Sequence, residues 1–220
     1  MSKDTNDLVG RLALQLRPVR RLPSPRLRAA TWLALSASYL ALFVLAHRLS
    51  GAPLAQSIDT RFVVEELATI ATAGLAAFAA FCCVVPGYSR RIALLPLPAL
   101  FLWVASLGAN CIADWPRLGV AAGQLTPEPA CIPVAMLAGV LPAVAMVMML
   151  RRGAPLYPRA TVALGALAVA ALTNAALPLF HLGDVSIMVL VWDLGLIALL
   201  SALAGWAGPR ILNWRRIVVA

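Results

Sequence analysis

Four cysteines carry most of the reactive chemistry in this sequence of 220 residues. Cys111 and Cys131 enclose a segment rich in Pro and Gly, and a disulfide bond between them would stabilise the fold by about 3 kcal/mol in the chain-entropy description. The alternative for this pair is a reversible thiol switch or a soft-metal sensor. Cys82 and Cys83 are adjacent, and neighbouring cysteines bond to each other only with strain. We expect these two to pack as free thiols in an apolar core.

Two histidines and one acid are the other candidates for chemistry. His47 and His181 could bind a metal together with Cys111 and Cys131, but their separation in sequence gives this idea little support. Asp193 lies near the middle of an apolar stretch, where an ionised carboxyl group costs about 2.5–3.5 kcal/mol on membrane-insertion scales. One acid without a basic partner is thin support for a proton pathway. We therefore expect no catalytic residue, no resident metal, no cofactor and no enzyme activity.

The elements that hold these residues are predicted to be membrane-spanning helices. The sequence is 62% hydrophobic and 12% charged, with a mean hydropathy of +0.88, whereas about a quarter of the residues of a soluble domain are charged. A helix of about 20 apolar residues crosses the hydrocarbon core of a bilayer. The pattern is typical of an all-α polytopic membrane protein. Six spans are predicted, at residues 29–47, 62–85, 92–110, 131–150, 160–180 and 185–207.

The distribution of positive charge orients these spans. Fifteen of the 18 Lys and Arg residues lie on one side of the membrane, in segments 1–28, 86–91, 151–159 and 208–220. The positive-inside rule puts that side, with both termini, in the cytoplasm. Cys111 and Cys131 then lie on the outer side, which in bacteria is the oxidising periplasm. Because topology explains the net charge of +9, that charge does not indicate nucleic-acid binding.

Three regions follow from this topology: a cytoplasmic segment at 1–28, a six-helix membrane domain at 29–207 and a basic cytoplasmic tail at 208–220. The first region has the pattern of a short amphipathic helix.

Leu8, Leu12 and Leu16 recur every four residues and lie within an arc of about 140° on a helical wheel, while Leu14 falls on the opposite, polar side. Pro18 disfavours helical geometry in the residue before it, so the helix should end there. A helix this short is only marginally stable alone in water. Two interpretations remain open. The leucine face lies on an anionic membrane surface, or it binds in the apolar groove of a cytoplasmic partner.

Several short segments, in this order and spacing, resemble those of the NrsF-like family of six-span bacterial membrane proteins. They are Asp7-Leu8, residues 18–22, 86–91, 93–97 and 111–115, Cys131, and residues 150–156. Members of this family act as negative regulators, or anti-sigma factors, of extracytoplasmic-function sigma factors.

The resemblance implies that the N-terminal segment holds a sigma factor at the bacterial inner membrane and releases it when a stress signal acts on the outer side. The implied sigma-binding residues are Asp7, Leu8, Leu12, Leu16, Arg17, Pro18, Val19, Arg20, Arg21 and Leu22. The leucines would fill an apolar groove on the sigma factor, and the arginines would pair with acidic residues at its rim.

The resemblance also implies a sensing site on the outer side. The family has cysteines around the loop between its third and fourth spans, and Cys111 and Cys131 correspond to them. Members often carry another cysteine between the fifth and sixth spans. At that place this chain has His181, which could substitute as a soft ligand. The expected sensing residues are therefore Cys111, Cys131 and His181.

Two other classes of function fit the same sequence. A small membrane transporter or redox protein would use Asp193 and the outer cysteines. A structural membrane protein would use the N-terminal segment only to lie on lipid. Capture of a cytoplasmic protein by that segment separates the sigma-factor hypothesis from both.

Overall fold

The computed structural model describes residues 3–15, 22–49, 60–118, 131–153 and 157–176. In these ranges the chain is helical and contains no strand, so the predicted all-α class is confirmed. The six α-helices are α1 (Lys3–Gln15), α2 (Pro25–Leu49), α3 (Thr60–Cys82), α4 (Leu97–Leu118), α5 (Cys131–Arg151) and α6 (Pro158–Ala176). A short 3₁₀ helix, Arg90–Leu94, precedes α4.

Within the described residues, four segments are long and apolar enough to cross a membrane. They are Pro25–Leu49, Thr60–Cys82, Arg90–Asn110 and Pro158–Ala176. They coincide with the first, second, third and fifth predicted spans. The fourth predicted span falls on α5, whose apolar stretch at Met136–Arg151 is shorter. The sixth, at 185–207, lies outside the described residues. These apolar helices indicate a membrane protein.

The first span begins earlier than its apolar pattern predicts. α2 starts at Pro25, and proline suits the first position of a helix because its missing N–H would have no helical acceptor there. The backbone N–H of Leu27 donates to Oγ of Ser24 over 3.4 Å, as expected of a capping residue. The end of the predicted N-terminal segment is therefore already helical.

α3 lies at the centre of the described bundle and packs against α2, α4 and α6. Small side chains make up much of its buried surface. Ala73, Ala76, Ala77, Ala79 and Ala80 are all fully buried. Helices in a bilayer associate largely through close van der Waals packing, which small residues allow. The Ala-rich sequence of this span thus permits close approach on several sides at once.

Side chains of α2 donate hydrogen bonds to the backbone of α5 at several points along its length. Nε1 of the fully buried Trp32 donates to the carbonyl oxygen of Pro142 over 3.0 Å, and the hydroxyl of Tyr39 donates to the carbonyl oxygen of Leu137 over 2.8 Å. Pro142 lies inside α5 and removes one helical N–H donor. The residue order of donors and acceptors shows that α2 and α5 run antiparallel.

The connection after α3 and the connection after α5 meet at one end of the bundle, called here the short-connection side. A Cβ atom added at Gly153 would lie 2.7 Å from Cβ of Val84, so only glycine fits there. Gly87 has a φ of +102°, in the left-handed region that favours glycine. The guanidinium of Arg90 lies 4.4 Å from the ring centre of Tyr157. These contacts join the two connections.

Candidate functional site

The leucines predicted to bind a partner lie on α1 and are exposed. All described side chains of this helix, from Thr5 to Leu14, are exposed. Leu8 has 58% of its surface exposed and Leu12 has 55%, although both are apolar. Leu14, on the other face, is 89% exposed. α1 therefore presents an uncovered apolar pair one helical turn apart, together with a third leucine that can serve as a control.

Of the other predicted sigma-binding residues, the structure describes some and not others. Asp7 is an exposed residue of α1, and Leu22 is exposed just before α2. The others, Leu16, Arg17, Pro18, Val19, Arg20 and Arg21, lie outside the described residues. Their contribution stays a prediction.

Arg28, in the first turn of α2, is a buried residue that the sequence analysis counted only among the basic residues of the N-terminal segment. It is 4% exposed. Its Nη2 donates to the carbonyl oxygen of Met149 in α5, and its guanidinium carbon lies 4.6 Å from the ring centre of Phe81 in α3. Nη1 is also buried and has no hydrogen-bond partner in the described part of the chain. Arg152 adds like-charge repulsion.

These contacts fix the start of α2 to the ends of two other helices. Met149 lies in the last turn of α5, where backbone carbonyls lack helical N–H donors. A cation at this end is also favoured by the helix dipole. We define the Arg28 junction as Arg28 with Phe81 and Met149. It joins the base of the N-terminal segment to α3 and α5.

The opposite end of α3 carries a second polar contact. Nδ2 of Asn110 in α4 donates to Oε2 of Glu65 in α3 over 3.2 Å. Asn110 directly precedes Cys111 in the sequence. Sequence analysis missed this contact, and its only local signal was a polar residue at the end of an apolar span. α3 thus contacts the Cys111 end of α4 at one terminus and the Arg28 junction at the other.

The sensing residues remain predictions. Cys111 lies within α4, which continues to Leu118, and Cys131 begins α5, but the side chains of both are outside what the structure describes. His181 and Asp193 are also outside the described ranges. Among the residues that are described, no group of three or more His, Cys, Asp or Glu could hold a metal ion.

The second cysteine pair agrees with the packing interpretation. Cys82 and Cys83 are both buried and free. They lie at the end of α3 and in the residue that follows it. The prediction that these adjacent thiols do not bond to each other is confirmed.

Comparison with known families favours one of the classes of function. Residues 12–214 match the sequence model of the NrsF family, which is described as negative regulator of sigma F. The chain belongs to the NrsF family. The match confirms the resemblance and includes Leu12 and the predicted sensing residues, whereas Asp7 and Leu8 precede it. The NrsF description indicates a negative regulator of a sigma factor, which favours a regulatory protein over an enzyme. No curated protein and no solved structure matches the chain.

Proposed function

We propose that this chain is a membrane-bound anti-sigma factor whose N-terminal segment sequesters an extracytoplasmic-function sigma factor in the cytoplasm. The observation that carries the proposal is the exposed leucine pair of α1, Leu8 and Leu12, in a chain of a sigma-regulating family. α1 precedes the first candidate membrane span, which starts at Pro25. A sigma factor bound to α1 would be held next to the membrane and away from RNA polymerase.

The energetics of α1 support a helix that binds in a groove. Burying one leucine side chain contributes about 1.5–3 kcal/mol, and a helix of 13 residues has little stability of its own. Partner binding would therefore stabilise both the helix and the complex. The arginines between Leu16 and Leu22 would add charge pairs at the rim of the groove, which speed association more than they raise affinity.

The proposed location is the bacterial inner membrane, with both termini in the cytoplasm. The excess of Arg on the short-connection side supports this orientation. It puts the Cys111 end of α4 on the outer side, where Cys111, Cys131 and His181 would sense an oxidant or a soft metal.

A route for release follows from the same contacts. A change at the Cys111 end would act on Glu65 through Asn110, and α3 would transmit it to the Arg28 junction. In this proposal α3 is the element whose position responds to the signal.

The test uses the full-length protein and two α1 variants, one double and one single. Leu8→Asp with Leu12→Asp should lower affinity for the sigma factor by about 10²–10⁴-fold, because two leucines lose their burial. Leu14→Asp is the control, since it makes the same substitution on the opposite face, adding one negative charge, and should retain binding within a few fold. Co-purification from solubilised membranes and titration of the purified sigma factor give the measurement.

Two results would contradict the proposal. One is undiminished capture of the sigma factor by the double variant. The other is an equal loss in the Leu14→Asp control, which would indicate a general charge effect. Equal amounts of each variant in the membrane fraction are required for the comparison.

A further inference from the structure

A cavity opens on the short-connection side, where α3 ends and α6 begins. Among the described residues its volume is about 220 Å³, and it is lined by apolar side chains such as Val85, Ile92 and Ala93 together with Ser89 and Arg90. Cys82 and Cys83, at the end of α3, are buried, whereas Tyr88, Ser89 and Arg90 are exposed. The cavity therefore has an apolar inner wall and a polar rim. Nothing in the proposed sigma-factor function uses it.

The position of the cavity relative to the spans points to the membrane boundary. It lies where the span Thr60–Cys82 ends and where the spans Arg90–Asn110 and Pro158–Ala176 begin. Three span ends at one level mark the edge of the hydrocarbon core. An apolar cavity at this level lies beside the region of lipid glycerol and phosphate groups.

The size of the cavity restricts its occupant. Cavities of about 150 Å³ hold a single benzene ring, and sites for drug-sized ligands occupy about 300–1,000 Å³. A volume near 220 Å³ is therefore suited to part of an acyl chain and too small for a whole nucleotide or a similar organic ligand. The remainder of such a molecule would stay in the bilayer.

The rim supplies a positive charge in a fixed orientation. The guanidinium of Arg90 is stacked over the ring of Tyr157, with 4.4 Å between its carbon and the ring centre. Stacking occupies the face of a guanidinium and leaves its N–H groups directed outward in the plane, where they match the oxygens of a phosphate. Ser89 and Tyr88 also line the cavity.

We propose that this cavity is a binding site for one anionic phospholipid, with an acyl chain against Cys82, Cys83 and Ala93 and the phosphate at Arg90. The lipid would fill the space between the 3₁₀ helix and α6 and would join the two short connections. The proposal depends on the membrane placement of the chain and is independent of sigma-factor binding.

The experiment uses full-length protein in nanodiscs that contain a photoactivatable phosphatidylglycerol with its reactive group in the acyl chain. Crosslinks located by mass spectrometry should be concentrated on residues 82–93 and at Ala160. Arg90→Gln should lower this labelling by about fivefold, the effect expected of one arginine at an anionic surface. Arg91→Gln is the matched control, because Arg91 is exposed and is not part of the lining, and it should change labelling less than twofold.

Competition identifies the ligand. Unlabelled phosphatidylglycerol should displace the probe about fivefold better than phosphatidylcholine with the same acyl chains, and inorganic phosphate or a free fatty acid should displace it poorly. Ala93→Phe, which fills the cavity while keeping Arg90, should remove most of the labelling. The proposal is overturned if crosslinks spread evenly over the helices, if the Arg90 and Arg91 variants are labelled equally, or if phosphate or fatty acid competes as well as phosphatidylglycerol.

Discussion

Replacing Arg28 by methionine removes a buried guanidinium while keeping an apolar side chain of similar length. The hydrogen bond to the carbonyl oxygen of Met149 and the contact with Phe81 are both lost. A hydrogen bond from a charged donor contributes about 1.5–3 kcal/mol, and a desolvated cation–π contact contributes about 2 kcal/mol. The Met149 carbonyl would also lose its donor at a helix end.

Two other effects of Arg28 destabilise the folded protein, and its replacement would remove them. The buried Nη1 of Arg28 has no partner among the described residues, at a cost of about 1–3 kcal/mol. Repulsion by Arg152 adds to that cost. The hydrogen bond to Met149 and the contact with Phe81 together contribute more than these two effects cost. We therefore expect Arg28→Met to lower the free energy of unfolding by about 1–3 kcal/mol. In an Arg152→Gln background the loss should be greater, because the repulsion that Arg28→Met relieves is already absent.

The assay is reversible unfolding of the purified full-length protein in mixed detergent, followed by tryptophan fluorescence. Arg26→Met is the control, because Arg26 is exposed in the same turn of α2 and should change the free energy by less than about 0.5 kcal/mol. Under the proposed function, Arg28→Met should still capture the sigma factor, since α1 is unchanged, but should respond less to the outer signal. Equal or greater stability of Arg28→Met would refute the reasoning, because burial of the charge would then outweigh its contacts.

Two further predictions concern the short-connection side and the sensor. Gly153→Ala should lower the free energy of unfolding by about 1–3 kcal/mol because its Cβ would lie 2.7 Å from Cβ of Val84. Gly108→Ala should be neutral or slightly stabilising in the same unfolding assay, because no described atom beyond the local helix backbone lies within 4 Å of the new Cβ. Cys111→Ser and Cys131→Ser, singly and together, should abolish induction of a sigma-dependent reporter by an oxidant or a thiophilic metal. Wild-type induction in all three variants would exclude these cysteines as sensors.

The sequence was sufficient to predict what depends on composition and local pattern. The all-α class and the four confirmed candidate spans follow from apolar length. The family follows from short segments in a fixed order. The helical class, the spans and the family each depend on residues that are close together in the sequence. They can therefore be recognised without knowing how the helices pack.

The contacts of Arg28 and Asn110 could not be predicted in the same way. Arg28 and its acceptor Met149 are 121 positions apart, and Asn110 and Glu65 are 45 positions apart. No local period relates such residues, and a count of charges assigns a buried arginine to the same class as an exposed one. Only helix packing distinguishes Arg28 from its exposed neighbour Arg26.

The hydrogen bonds between α2 and α5 make the two helices unequal in their tolerance of substitution. Among the described residues the donors are side chains, those of Arg28, Trp32 and Tyr39, and their acceptors are backbone oxygens. Exchanging a side chain of α5 leaves its carbonyl in place, provided the helix keeps its course. The side-chain part of these three hydrogen bonds is therefore encoded in α2, and exposed side chains of α5 can change without removing their acceptors.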